Sequence, residues 1–109
     1  MTDVQLTKDS KELLAIIYKE YLDQINNGKS KSDAKLFGGS DTVYELANDW
    51  LKDDIVETMR ELDRAGFINN FEADNTIHFS NILDKTIVYF ENKNLNNLKS
   101  VAEWILKLK

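Results

Sequence analysis

The chain has 109 residues, a length at which one domain with a single hydrophobic core is the usual outcome. Its content of 42% hydrophobic and 30% charged residues is ordinary for a globular protein and does not indicate disorder. The sequence contains no cysteine, which excludes disulfides and thiolate catalysis and fits a reducing compartment.

Targeting patterns are absent from the sequence. The N-terminus, Met1–Leu6, lacks the basic start and apolar run of a secretory signal. The longest uninterrupted apolar run, Leu13–Tyr18, is far too short to span a bilayer. We therefore expect a cytoplasmic protein with no membrane partner.

An N-terminal helix is the clearest predicted element. It is expected to begin near Asp9, because Asp9 and Glu12 form a capping-box pattern. Its apolar residues recur at helical spacing, at Leu13, Leu14, Ile17, Tyr21 and Ile25. The helix should end at Asn26-Asn27-Gly28, where Gly28 suits a left-handed residue after the last turn.

Further helical segments are predicted between residues 29 and 66. Residues 29–37 should form one or two helical turns, which Gly38-Gly39 bring to an end. Ser40 can then cap a helix with the apolar residues Val43, Leu46, Ala47 and Trp50. A longer helix follows, whose apolar face comprises Leu51, Ile55, Met59, Leu62 and Gly66. The pattern leaves open whether the two helices join or break near Asn48-Asp49.

A β-hairpin is predicted around Ala73-Asp74-Asn75, since Asp and Asn tolerate the backbone angles of a short turn. The apolar residues on both sides alternate with a period of two, at Phe67-Ile68, Phe71, Ile77 and Phe79. Residues 81–93 then read as a helix, and a last helix is predicted over about 95–108. No linker or repeat interrupts the chain, so one domain over 1–109 is expected.

The order of three helices, a hairpin and further helices matches the winged-helix plan. Residues Leu62–Ile68, LDRAGFI, are similar to the end of a winged-helix third helix, and Ile82–Asn92 to the helix after the wing. Over about residues 9–93 the chain resembles small uncharacterised winged-helix proteins of Gram-positive bacteria and their phages, including the YjcQ-like group. The resemblance implies a mostly α fold with a small β-hairpin (α+β), a winged helix-turn-helix with additional C-terminal helices. It also implies DNA binding through the third helix and the wing.

The distribution of charge departs from that implied function. Residues 40–66 contain eight acidic and three basic residues, so this segment carries a net charge of −5, equal to that of the whole chain. Acids therefore lie where a recognition helix meets base edges, and no Lys or Arg occurs between Ala65 and Asp84. The candidate surface for a protein partner consists of Asp49, Asp53, Glu57, Arg60 and Arg64. A solvated acidic stripe that stabilises its own helix dipole is the simpler interpretation of the same acids.

DNA binding through a local basic patch is the alternative. Three lysines occur within seven residues, and a solvated loop explains them equally well. With the bases of the third helix, the candidate nucleic-acid contacts are Lys29, Lys31, Lys35, Lys52, Arg60 and Arg64.

No catalytic or metal site is predicted. His78 is the only histidine and is expected to point away from Ile77 and Phe79 on the hairpin. One histidine with no cysteine does not make a typical transition-metal site, and no serine has an identifiable base. We therefore expect neither an enzyme nor a cofactor.

The last helix has more apolar surface than one packing face requires, since its apolar positions cover over half of its circumference. The excess should either pack within the chain or form a homodimer, as C-terminal helices do in many winged-helix regulators. The candidate dimer residues are Trp104, Leu106 and Leu108.

These patterns favour a non-catalytic winged-helix interaction or regulatory protein whose acidic third-helix surface binds a protein partner. The alternative is a DNA-binding transcriptional regulator that acts as a dimer and has a phage or mobile-element origin. The salt dependence of binding to a DNA duplex distinguishes the two functions. Protein contacts with phosphates release counterions, so the affinity of a DNA-binding regulator should fall steeply as the salt concentration rises.

Overall fold

A computed structural model describes residues 6–109 and, over that range, has six α-helices and three β-strands. In chain order these are α1 (Lys8–Asn26), α2 (Lys31–Lys35), β1 (Leu36–Gly38), α3 (Ser40–Leu46), α4 (Lys52–Arg64), β2 (Ile68–Ala73), β3 (Thr76–Ile82), α5 (Asp84–Glu91) and α6 (Leu98–Leu108). The α+β class with a small β part is as predicted, with one strand more than expected. Residues 1–5, where no secretory signal is predicted, lie outside the described residues.

Thr7, rather than Asp9, caps the N-terminus of α1. Its hydroxyl accepts a hydrogen bond from the backbone N–H of Ser10 at 3.1 Å. The capping box predicted for Asp9 and Glu12 is therefore wrong, because Asp9 lies exposed in the first turn and Glu12 is buried. The Glu12 carboxylate instead accepts a hydrogen bond from the Trp50 indole at 3.2 Å, which ties α1 to the connection before α4.

The end of α1 follows the prediction. Gly28 has φ +100°, and the backbone N–H of Lys29 donates to the carbonyl of Gln24 at 3.0 Å. This is the left-handed closure that glycine adopts without steric cost. After it, residues 31–35 form the single short helix α2, within the predicted one or two turns.

Strand β1 is the element that the sequence pattern did not predict. The three strands form one antiparallel sheet in the order β1-β3-β2, and residues 36–38 pair with residues 79–81 of the central strand. The glycine that follows, Gly39, lies so close to the backbone of Ile77 that a Cβ atom would overlap the Ile77 carbonyl. The paired glycines therefore do more than stop a helix, because Gly39 allows the chain to pass close to β3.

The hairpin formed by β2 and β3 is present where it is predicted. Asp74 and Asn75 have φ values of 55° and 62°. Two successive left-handed residues match the twist of antiparallel strands, and Asp and Asn tolerate this conformation better than most residues. The predicted turn is confirmed.

A β-bulge changes which hairpin side chains face the core. Phe71 is opposite Phe79, but the next residue, Glu72, is opposite Ile77, so His78 is an extra residue in β3. Ile77 is consequently buried, whereas Phe71 and Phe79 are exposed and stack with ring centroids 4.4 Å apart. The prediction that Ile77 and Phe79 share one face is therefore wrong.

Helices α3 and α4 are separate, which answers the question left open near Asn48-Asp49. Ser40 is the buried first residue of α3 and not its cap, and Gly39 takes the cap position without a side-chain hydrogen bond. Leu51 precedes α4 in an extended conformation and is 73% exposed. Its predicted place on the buried face is wrong, because the helix starts one residue later.

Both C-terminal helices begin later than predicted. Strand β3 continues through Ile82, so the helix expected from Asn81 starts at Asp84. The last helix starts after Asn97 rather than at Leu95, because the Asn97 side chain caps it by accepting a backbone N–H at 2.9 Å.

The core lies between α1, α4, α5, α6 and the sheet. Ile55, Met59 and Leu62 of α4 point into it and are fully buried, as predicted. Tyr18 of α1 stacks on Phe90 of α5 with ring centroids 4.4 Å apart. Because the inner face of α4 is fixed by this packing, its opposite face is left to solvent.

Candidate functional site

The outer face of α4 is the surface on which the predicted function depends. Asp53, Glu57 and Arg64 are exposed there, and Arg60 is half-buried. Asp49 is not on this helix, because it lies in the connection between α3 and α4. Of the three acids in the candidate surface for a protein partner, only Asp53 and Glu57 therefore lie on α4.

Each of the three cations on α4 forms an ion pair with a carboxylate of this chain. The pairs are Lys52 with Asp41, Arg60 with Glu72 at 2.9 Å, and Arg64 with Glu57 at 3.9 Å. Arg60 donates from both Nε and Nη2, and this contact raises the pKa of its guanidinium group. The hydrogen bond to Asp41 likewise raises the pKa of Lys52. The three bases of α4 that were predicted to contact phosphates are thus each paired with an acid of this chain.

The acids of residues 40–66 divide into engaged and free groups. Asp49 pairs with Lys109 at 3.5 Å, and Asp63 accepts the backbone N–H of Asn70 at 2.9 Å. The carboxylates with neither an ion pair nor a hydrogen bond within residues 6–109 are those of Glu45, Asp53, Asp54 and Glu61. Three of these acids lie on α4, Asp53 and Asp54 in its first turn and Glu61 in its C-terminal half.

The predicted lysine cluster lies on other elements. Lys29 is in the loop after α1, and Lys31 and Lys35 are at the two ends of α2. Lys35 pairs with Asp84 at 3.0 Å, a hydrogen bond that raises the pKa of its ammonium group. Lys29 and Lys31 are exposed, with no ion-pair partner among the residues that the structure describes. The six candidate nucleic-acid contacts thus belong to two separate groups of elements.

The three candidate dimer residues of α6 differ in their surroundings. Trp104 packs edge-to-face on Phe90 with centroids 5.7 Å apart, and the Lys93 ammonium lies 6.0 Å from its ring centroid. Leu108 is half-buried, whereas Leu106 is 71% exposed. Internal packing therefore accounts for Trp104 and leaves Leu106 as the large apolar side chain that faces solvent.

His78 contacts the backbone of its own hairpin. An imidazole nitrogen of His78 lies 3.1 Å from the Ala73 carbonyl, a contact within the hairpin. Within residues 6–109, no group of three His, Asp or Glu side chains is placed to hold a metal ion.

Comparisons with protein-family models, with curated proteins and with solved structures find no match to this chain. Over the described part of the chain, no helix is both long enough and apolar enough to cross a membrane. The function of the chain is therefore inferred from its own charges and contacts.

The sequence patterns did not predict the ion pairs or the exposed stacked pair Phe71 and Phe79. Arg60 and Glu72 are twelve residues apart on a helix and a strand, so no local spacing signals their contact. Alternation from the buried residues Ile68 and Ile82 places Phe71 and Phe79 on the outer face of the hairpin, whereas the bulge turns Ile77 toward the core. The bulge itself has no clear signature in the sequence.

Proposed function

We propose that the protein is a non-catalytic winged-helix module that binds a protein partner through the acidic face of α4, defined by Asp53, Asp54 and Glu57. The order α1, α2, β1, α3, α4, β2, β3, in which α2 is a short helix of five residues, and the sheet order β1-β3-β2 support the winged-helix part of this proposal. In that arrangement α3 and α4 form the helix-turn-helix pair, and the turn at Asp74-Asn75 is the tip of the wing.

The pairing of every α4 cation is the observation on which the proposal rests. Lys52, Arg60 and Arg64 each contact a carboxylate, whereas Asp53 and Asp54 have no such partner within residues 6–109. A partner with lysine or arginine side chains would supply the missing opposite charge. The expected partner is therefore a protein with a basic surface.

The same charges disfavour a duplex at this face. DNA presents about one negative charge per 1.7 Å of helix axis. Asp53, Asp54 and Glu57 occupy the N-terminal half of α4, the part that a recognition helix offers to bases. The hairpin provides no lysine or arginine to offset them, since none occurs between Ala65 and Asp84.

A DNA-binding regulator is the second candidate function. The exposure of Lys29 and Lys31, without an ion-pair partner in the described residues, favours it. In that case DNA would contact the α1–α2 connection rather than α4. Binding would weaken steeply with salt, in proportion to the phosphates contacted.

Fluorescence anisotropy with two labelled probes tests the proposal. One probe is an arginine-rich peptide, and the other is a duplex DNA of mixed sequence, each titrated at several salt concentrations. The wild-type protein should bind the peptide and not the duplex. The double variant Asp53→Asn with Asp54→Asn should lose up to about tenfold in peptide affinity, as expected when two exposed charge contacts are removed.

The matched control is the double variant Glu91→Gln with Glu103→Gln. It removes the same two charges from exposed positions on α5 and α6. Peptide affinity should stay close to wild type in this control. Equal losses in both double variants would contradict a localised acidic site, and duplex binding with a steep salt slope would favour the second candidate.

A further inference from the structure

Helix α6 has an apolar side that the core of this chain does not cover. Val101 and Ile105 point inward and are buried, whereas Leu106 is 71% exposed. Ala102, one turn before Leu106, is half-buried on the same side of the helix. An isolated aliphatic side chain exposed to this extent is ordinary, so its surroundings decide whether it has a role.

Leu106 forms one wall of a groove of about 320 Å³ between α1, the end of α3 and α6. Five of its nine lining residues are apolar: Ile16 from α1, Leu46 from α3, and Ala102, Ile105 and Leu106 from α6. Leu46 is also exposed, so both walls present large aliphatic side chains to water. A groove with such walls fits an aliphatic side chain from outside.

The charges around the groove indicate which partner fits. Its charged residues are Lys19, Glu20, Asp49 and Lys109, two cations and two anions. Asp49 pairs with Lys109 at 3.5 Å, and Glu20 accepts a hydrogen bond from Gln24 at 2.7 Å. The charged side chains that line the groove therefore balance, in contrast to the acidic face of α4.

A balanced set of charges is compatible with a twofold contact between identical chains. In such an interface each surface meets its own copy, so a surface with a large excess of one charge would repel itself. The outer face of α4 would repel itself, whereas this groove would not. Two copies related by a twofold axis would each bring two cations and two anions to the contact, and cations of one copy can pair with anions of the other.

We propose that this groove is the interface between two copies of the chain, with Leu106 of each copy seated in the groove of the other. The contact buries Leu106 and Leu46 on both copies and leaves Trp104 in its packing on Phe90. No residue of α4 lines the groove, so dimerisation and partner binding use different surfaces.

Sedimentation velocity of the full chain, from about 1 µM to about 1 mM, tests the proposal. The wild type should shift from monomer to dimer with concentration, and Leu106→Glu should weaken the dimer by at least about a hundredfold. Val88→Glu is the matched control, because Val88 is 52% exposed on α5 and lines a different groove. A wild type that stays monomeric, or equal dimerisation of wild type and Leu106→Glu, would overturn the proposal.

Cross-linking locates the contact independently of the charge that Leu106→Glu introduces. Because the chain has no cysteine, the single variants Leu46→Cys and Leu106→Cys each carry one thiol. When the two variants are mixed and oxidised, a mixed disulfide between them should form, since a disulfide needs Cα atoms within about 7 Å. A mixture of Val88→Cys with Leu106→Cys should cross-link far more slowly. Equal rates in the two mixtures would refute the assigned geometry.

Discussion

The backbone N–H of Asn70 donates a hydrogen bond to the Asp63 carboxylate at 2.9 Å and so attaches edge strand β2 to α4. Unpaired N–H groups on an edge strand otherwise offer a template for pairing with another chain. The Asn70 side chain also donates to the Met59 carbonyl at 2.9 Å and accepts the Ser80 hydroxyl at 2.7 Å. The C-terminal half of α4 is thus bound to the hairpin, and Asp63 contributes to the fold rather than to a binding surface.

Asp63→Ala should lower the free energy of unfolding by about 1–3 kcal/mol, because the partly buried N–H of Asn70 loses its acceptor. Urea denaturation measures this change. Asp63→Asn retains an acceptor oxygen and should cost less. Asp53→Ala, on the exposed face of the same helix, is the control and should cost less than about 1 kcal/mol. Similar values for the two alanine variants would show that Asp63 does not hold the strand.

Gly39→Ala should be among the most damaging single substitutions in the chain. The added Cβ would overlap the backbone of Ile77, so strand β3 or the start of α3 must shift, at a cost of at least about 3 kcal/mol. Gly28→Ala is the comparison, since nothing lies within 4 Å of its Cβ and only the left-handed φ of +100° opposes it. That strain costs about 1–2 kcal/mol. If the urea midpoint of Gly28→Ala were lower than that of Gly39→Ala, the close approach of Gly39 to the backbone of Ile77 would be contradicted.

Tyr18 should make the protein less stable at high pH. Burial raises the pKa of its phenol from 10.0 to about 12. The folded state therefore keeps a proton that the unfolded chain releases, so this stabilisation is full below pH 10 and is lost as the pH rises toward 12.

The Tyr18→Phe variant isolates this effect, because it keeps the ring that stacks on Phe90. Between pH 10 and pH 12 the unfolding free energy of the wild type should fall more steeply than that of the variant, by at most about 3 kcal/mol. Burial also raises the pKa of Tyr89, but that group is present in both proteins and cancels in the difference. Parallel pH curves for the two proteins would be incompatible with a raised Tyr18 pKa.

Arg60→Ala should strengthen binding of the arginine-rich peptide, by about twofold to fivefold. Arg60 neutralises Glu72, so its removal leaves the surface beside the acidic face of α4 more negative. Lys99→Ala changes the net charge equally on α6 and should leave peptide affinity almost unchanged. The readout is peptide anisotropy at fixed salt. A loss of affinity in Arg60→Ala would mean that Arg60 itself contacts the bound molecule.

The sequence correctly predicts the amphipathic pattern of α1, its left-handed end at Gly28, the turn at Asp74-Asn75 and the buried positions of Ile55, Met59 and Leu62 on α4. Each depends on residues within a few positions of one another. The backbone preference of a glycine or an Asp-Asn pair acts locally, and helical spacing decides which side chains face the core. The concentration of acids in residues 40–66 is likewise a property of the sequence alone.

Strand β1, the bulge at His78 and the engaged or free state of each charge were decided by tertiary structure. Residues 36–38 extend only because the distant residues 79–81 offer them a partner, and Arg60 meets Glu72 only once α4 packs on β2. Contacts of this kind depend on distances in space that no local spacing encodes. The sequence therefore determined how much negative charge this region has, whereas the fold determined that Asp53, Asp54 and Glu61 are the acids of α4 left without a partner in the described residues.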